Sequence, residues 1–239
     1  KSTQGGLNPE MMLTDIYQEH AGIGEIIFKP GDPQTIYVLA NNKVYISTDA
    51  GGSFTEVVIG VENGKNVADL AFSETYPNMG FAYGRGSLYR TTDGGYTWND
   101  VYDSVPIDLG VIWDESNHPF DGISRYDSIL YRGAGGRNVM GVFDDEIYIF
   151  RHAIVIENND TTFKKELLVS NVNNISFQNF YNEDGYDPYN IRKAQNGNIA
   201  ICVRNYLLYF NPTNNSWLSN YHSKHHDVRD VAFHGTDNI

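Results

Sequence analysis

The chain repeats itself at a fixed distance. STDAGGSFTEV (Ser47–Val57) returns as TTDGGYTWNDV (Thr91–Val101). Asp49 and Asp93 lie 93 − 49 = 44 residues apart, and Phe54 and Trp98 lie 98 − 54 = 44 apart. Phe28 and Phe72 keep the same interval, as do Tyr45 and Tyr89. A period of roughly 20–50 residues marks an architecture of stacked equivalent units.

Each period reads as four short strands. In the first copy these are Gly24–Pro30, Thr35–Ala40, Lys43–Thr48 and Ser53–Ile59, separated by GDPQ, NN and DAGG. The second copy runs ADLAFS, GFAYG, SLYRTT and YTWNDV. β-Branched and aromatic residues fill these runs, and turn formers bound them. Helical repeats of this length need a 3.6-residue apolar period, which is absent. A sandwich of eight strands accounts for the strands but not for the shared interval. Four antiparallel strands per ~45 residues is the size of a propeller blade. The 17 Tyr and 23 Gly agree, since Tyr suits half-buried pleated surfaces and Gly suits turns.

The expected fold is therefore all-β, a β-propeller of four-stranded antiparallel blades, incomplete at its C-terminus. Residues 1–16 read as a flexible lead-in. Residues 17–239 read as about four blades plus one strand, which either closes the ring with N-terminal residues or, the reading favoured here, marks a piece of a larger propeller. That last strand is DVAFHGTDNI (Asp230–Ile239), which repeats DLAFSETYPN (Asp69–Asn78). The third unit is the least regular, with strands expected in SILYRG, NVMGVF, EIYIF and AIVIEN. In the fourth, YFNPTNNSW matches YRTTDGGYTW with one residue fewer, so its hairpin closes with Asn and Pro in place of Asp and Gly.

A net charge of −13 argues against nucleic acid, because that affinity comes from neutralising phosphates. It argues equally against an anionic membrane surface. No apolar run approaches the ~18 residues of a membrane-spanning helix, so no membrane insertion is expected. The one cysteine, Cys202, sits in the apolar run IAICV and reads as a small hydrophobe.

The twice-written phrase resembles a known motif. Ser/Thr-x-Asp-x-Gly-x-x-Trp/Phe is the Asp-box, or bacterial neuraminidase repeat. Ser47, Asp49, Gly51 and Phe54 fit it, as do Thr91, Asp93, Gly95 and Trp98. The resemblance implies a β-propeller in which each box closes an outer hairpin. The Asp accepts turn N–H groups, the Gly takes an unusual backbone angle, and the aromatic packs between blades. Asp49 and Asp93 are thus expected to be folding staples, away from any active site. Families with this resemblance include sialidases, xyloglucan-cleaving glycosidases, sortilin-type receptors, photosystem assembly factors and secreted adhesins, so the fold alone does not choose a function. A sialidase would bring an Arg-Ile-Pro tripeptide, which is absent, and an arginine triad, which the scattered arginines do not suggest.

Three segments carry candidate functional residues. DLGVIWDESNHPFDG (Asp108–Gly122) sets Asp114, Glu115 and Asp121 beside Trp113, His118 and Phe120. A glycosidase needs two carboxylates roughly 5–10 Å apart, and aromatics beside them would form a sugar platform. NEDGYDPYN (Asn182–Asn190) is a second acidic aromatic loop, with Tyr186 as its binding candidate. HSKHHDVRD (His222–Asp230) contributes His226 and Asp227. The Asp-box resemblance would put this last segment near the channel mouth. His225, His226 and Asp227 are adjacent, so an extended backbone cannot aim all three at one ion, and no metal is expected there. Glu25, Asp69 and Asp230 each lie three residues before the matched Phe28, Phe72 and Phe233. On inner strands they would form an acidic ring in the channel. No cofactor is expected, and calcium is the ion such a ring would take.

The sequence thus points to a secreted or surface-exposed binding module for a glycan or protein ligand. It leans away from an enzyme. The alternatives are a glycoside hydrolase of the same fold and a structural component of a phage tail or surface assembly, with other subunits or missing blades completing it.

Overall fold

A computed structural model of the chain describes residues 23–40, 43–59, 67, 69–84, 87–102, 139–157, 160–183, 188–203, 206–221 and 231. Among them there are sixteen strands and no helix. They form four four-stranded sheets, each a meander in chain order. The first holds β1 (Ile23–Lys29), β2 (Asp32–Ala40), β3 (Lys43–Ser47) and β4 (Thr55–Val58). The second holds β5 (Asp69–Phe72), β6 (Gly80–Gly84), β7 (Ser87–Thr91) and β8 (Asn99–Tyr102). The third holds β9 (Val139–Phe143), β10 (Glu146–Glu157), β11 (Asp160–Asn171) and β12 (Gln178–Glu183). The fourth holds β13 (Pro188–Lys193), β14 (Ile199–Val203), β15 (Tyr206–Asn211) and β16 (Ser216–Tyr221). The molecule divides into two compact units, one built on β1–β8 and the other on β9–β16.

In the first unit the two sheets stack face to face. Tyr37, Leu39, Val44 and Ile46 of the first sheet bury against Leu70, Phe72, Ala82 and Tyr89 of the second. The Tyr37 and Phe72 rings stack with centroids 4.2 Å apart, and Trp98 meets Phe72 edge-on at 6.3 Å. Offset ring pairs of this kind add to the gain from burial alone. Phe72 can lie flat because its cross-strand partner is Gly80, where an added Cβ would sit 2.6 Å from the ring. One period earlier the partner of Phe28 is Ile36, and Phe28 stands 60% exposed against 6% for Phe72. Ile26 is likewise 56% exposed, where its counterpart Leu70 is 2% exposed. The repeat therefore writes the same apolar face twice, and the second copy is the buried one.

In the second unit Tyr148, Phe150, Leu167 and Val169 of the third sheet bury with Ile191, Ile199, Ile201 and Val203 of the fourth. The opposite face of the fourth sheet carries Ala200, Cys202, Leu207 and Tyr209, with Val231 packed against them. Val231 stands in DVAF where Leu70 stands in DLAF. Each packs on a sheet face built from a second and a third strand.

The third sheet departs from the sequence expectation. EIYIF and AIVIEN form one continuous strand, β10, because Arg151 and His152 between them offer no turn former to break it. β11 and β12 were not anticipated. β10 and β11 pair in unbroken register from Glu146↔Asn171 to Glu157↔Asp160. β9 follows β10 only as far as Phe150, and β12 follows β11 only as far as Lys165. Among the described residues, β10 and β11 thus pair alone over residues 151–157 with 160–164. SILYRG lies outside the described residues.

Candidate functional site

Antiparallel order gives every sheet two distinct ends. At one, the turn end, the first strand turns into the second and the third into the fourth. At the other, the linker end, the second strand turns into the third, and the fourth strand leaves for the next sheet.

The repeated Asp turns occupy the turn end. Ser47 Oγ accepts the Gly51 N–H at 2.7 Å and donates to Asp49 Oδ1 at 2.8 Å. Asp49 Oδ1 accepts the Ser53 N–H at 2.8 Å, and Oδ2 accepts the Ser53 hydroxyl at 2.8 Å. Forty-four residues on, Thr91 Oγ1 accepts the Gly95 N–H at 2.9 Å and donates to Asp93 Oδ1 at 2.8 Å. Asp93 accepts the Thr97 N–H at 2.9 Å and the Thr97 hydroxyl at 2.7 Å. The Ser53 N–H, followed by the hydroxyls of Ser47 and Ser53, brings the Asp49 carboxyl down to about 2. Burial pushes Asp93 up, but donors from Thr97, Thr91 and Tyr96 outweigh it and bring it to about 2 as well. These carboxylates are committed to backbone and hydroxyl donors and keep their charge for the turn.

The second turn is also keyed into the first sheet. The Tyr37 hydroxyl donates to Gly94 O at 3.0 Å, and Trp98 Nε1 donates to Gly95 O at 2.8 Å. Gly95 has φ +96°, and a Cβ there would stand 3.2 Å from Tyr37 Cε1. Only glycine meets both demands cheaply. The fourth sheet makes the equivalent hairpin without an Asp. Asn211 Oδ1 accepts the Thr213 N–H at 2.9 Å, and Asn214 Oδ1 accepts the Ser216 N–H at 3.1 Å.

The linker end is where the polar residues of the first strands lie. Glu25 pairs with Leu39 and Asp69 with Tyr83, one period apart on each strand. The Leu70 N–H is shared between Asp69 Oδ1 at 2.9 Å and Glu25 Oε2 at 3.2 Å. Two of the three acids read as a ring thus meet at a single amide. Asp230 lies outside the described residues. The second unit offers a residue that the repeat did not reveal. Asn190 pairs with Cys202 and accepts the Ile191 N–H at 2.8 Å, the same bond that Asp69 makes to its own neighbour. It lies three residues before Lys193, where a Phe would stand, so alignment on Phe28 and Phe72 passes over it. The register bulge just before both Glu25 and Asn190 is the shared signal.

The remaining candidates fall in linkers. Trp113, Asp114, Glu115, His118, Phe120 and Asp121 lie between β8 and β9, Tyr186 lies between β12 and β13, and His226 and Asp227 follow β16. All lie outside the described residues. Their connections nonetheless fix which strand ends they join, and each joins linker ends. Among the described residues no group of three His, Cys, Asp or Glu side chains could hold a metal ion.

No protein-family model and no curated protein matches the sequence. Solved structures do resemble it. YCF48 from Cyanidioschyzon merolae is similar with a TM-score of 0.55 at 14% identity, over 91% of this chain and 62% of that one. The GH74 xyloglucanase from Xanthomonas campestris is similar with a TM-score of 0.54 at 17% identity, over 83% of this chain and 30% of that one. A chain of the nidogen/laminin complex is similar with a TM-score of 0.54 at 9% identity, over 83% of this chain and 64% of that one. The protein has the β-propeller fold of these neighbours, all-β and built of four-stranded antiparallel sheets. It spans less than two thirds of the length of each.

Proposed function

We propose that the chain is the ligand-binding module of an Asp-box β-propeller, acting outside the cell or at its surface on a protein ligand at the linker end. Topology carries this reading. Taken sheet by sheet, the segments holding Trp113–Asp121, Tyr186 and His226–Asp227 join strands at the linker end of their own sheets, the end at which Glu25, Asp69 and Asn190 stand on the first strands of theirs. In the first two sheets the opposite end is committed to internally bonded Asp turns, and in the fourth to an Asn-bonded hairpin. Loops positioned by a rigid sheet scaffold are the usual carriers of binding residues. A propeller found in the nidogen/laminin complex is consistent with a protein ligand. The glycoside hydrolase alternative rests on likeness to GH74 enzymes, which reaches only the fold.

Site-specific photocrosslinking tests the proposal. A benzophenone amino acid is placed at Trp113 or Tyr186, and at Tyr96 on the turn end as the control. The protein is then exposed to extracellular proteins of its source. The expected result is one species captured from both linker positions, competed by its own purified form, and not captured from Tyr96. Equal capture at Tyr96 would overturn the assignment of the face. Release of reducing sugar from a glycan panel, abolished by Asp114→Asn or Glu115→Gln, would replace it with the hydrolase.

A further inference from the structure

We infer that the turn end of the first unit carries a saccharide subsite, seated over Gly94 between the first and second sheets and built to take a hydroxyl of a neutral sugar. The inference goes beyond the proposed protein-binding role and does not rest on it, since that role lies at the linker end. Three polar side chains from separate stretches of the chain converge at this point. Lys29 closes β1, Tyr37 lies on β2, and Asn78 stands in the turn between β5 and β6. Lys29 Nζ donates to Asn78 Oδ1 at 2.6 Å, an exposed bond between the two sheets. The Gly94 N–H donates to Asn78 O at 2.9 Å, and Gly94 O accepts the Tyr37 hydroxyl at 3.0 Å. A Cβ built on Gly94 would have Asn78 Oδ1 at 3.5 Å, Lys29 Nζ at 3.8 Å and Tyr37 Oη at 3.8 Å as its nearest neighbours beyond the adjoining residues. One atom-sized position thus reaches all three polar groups, and a small swing of the Lys29 side chain brings it to hydrogen-bond length.

The repeat shows that the backbone does not force this room. Ala50 stands one period before Gly94, 94 − 50 = 44 residues, and carries its side chain at φ +54°. Its N–H makes the equivalent bond, to Gln34 O at 2.8 Å. Alanine is therefore compatible with the turn, and the second copy keeps the place clear of a side chain. The polar groups select the guest. Tyr37 spends its proton on Gly94 O and presents lone pairs to the position. The Lys29 ammonium carries three protons, of which Asn78 Oδ1 takes one. A hydroxyl can accept from Lys29 and donate to Tyr37 Oη or Asn78 Oδ1 at once. A carboxylate has no proton to give, and an ammonium would meet Lys29. The Asp93 carboxylate in the same turn and the net charge of −13 further disfavour an acidic sugar. Exposed tyrosines belong to the same two turns. Tyr96, 48% exposed, follows Gly94 by two residues, and Tyr76, 41% exposed, precedes Asn78 by two. Ligand sites commonly join aromatic surface to a few placed polar groups, and a tyrosine ring offers a flat apolar surface to the C–H face of a sugar. None of these polar side chains is used in the bonds that Asp49 and Asp93 make to their own turns.

The probes are cellotetraose, xylotetraose, mannotetraose and galactotetraose, each titrated to about 10 mM, which reaches the millimolar range of weak single-site binding. Binding is read from backbone amide NMR shifts of the whole chain. At least one probe is expected to bind saturably and to shift the amides of Asn78, Gly94 and Tyr96. Tetragalacturonate, the acidic counterpart of galactotetraose, should not bind. Gly94→Ala puts a methyl group into the position and is expected to weaken binding at least about tenfold, through loss of the hydroxyl's hydrogen bonds. Lys29→Met removes the donor from an exposed bond and should weaken binding similarly, so the inference stays testable even if Gly94→Ala does not fold. The inference is overturned if no neutral probe binds, if binding survives both variants unchanged, if the shifts are confined to the linker end, or if tetragalacturonate binds as tightly as the neutral probes. Protein capture from Trp113 and Tyr186 is read separately, so either result can stand while the other fails.

Discussion

The most informative perturbation is the pair Phe72→Ala and Phe28→Ala. The two residues occupy the same place in the repeat, 44 positions apart, on equivalent strands. Phe72 is 6% exposed and stacked on Tyr37 at 4.2 Å. Truncating a buried Phe costs about 3–5 kcal/mol, the transfer loss plus the cavity left behind. Phe28 is 60% exposed, so only about two fifths of its surface has left water. Full burial of such a side chain is worth about 1.5–3 kcal/mol, so the Phe28 substitution should cost about 1 kcal/mol or less. The assay is urea unfolding followed by tryptophan emission, to which Trp98, 6.3 Å from the Phe72 ring, responds. With a urea slope of about 2 kcal/mol per molar, Phe72→Ala should lower the midpoint by roughly 1.5–2.5 M and Phe28→Ala by about 0.5 M or less. If the two midpoints fell together, the face carrying Ile26 and Phe28 would be packed as tightly as its repeat partner, and the account of the first unit's core would be wrong.

Other outcomes follow from the same geometry. Asp49 and Asp93 titrate near 3.8 in the unfolded chain and at about 2 when folded. Their contribution is therefore complete above about pH 4 and lost as pH falls toward 2. Thermal melts from pH 5 to 2 should show a loss that the double variant Asp49→Asn, Asp93→Asn flattens, and an unchanged slope in that variant would contradict the turn chemistry. Tyr37→Phe removes the hydroxyl that donates to Gly94 O and should cost about 0.5–1.5 kcal/mol in the same urea assay. A neutral result would mean that the turn is not keyed to the first sheet. Gly80→Ala puts a methyl into the Phe72 ring and should destabilise by about 1–3 kcal/mol, measured by thermal melt. Gly31→Ala, at φ +76° but with open space around it, should cost only the backbone strain of about 1–2 kcal/mol. The two variants thus separate crowding from conformation.

The sequence by itself determined the repeat and most of what the repeat entails. Side-chain hydrogen bonding within four residues is a local property, so Ser47–Ser53 and Thr91–Thr97 announce their own turns. Alternating β-branched and aromatic runs between such turns define the four-stranded unit in the first, second and fourth sheets. The third sheet was less legible because its strands outrun the repeat. No turn former interrupts Glu146–Glu157, and only cross-strand pairing shows that β10 and β11 run together over their whole length. Residue type could not distinguish Phe28 from Phe72, since burial depends on what stacks against the face and on whether Ile36 or Gly80 lies opposite. Asn190 escaped for a related reason. Its position is set by a register bulge and a strand pairing, while the Phe that would have marked it in the text is Lys193. Local hydrogen bonding and periodicity are written in the chain. Which faces meet, and in what register the strands pair, are decided by contacts between residues far apart along it.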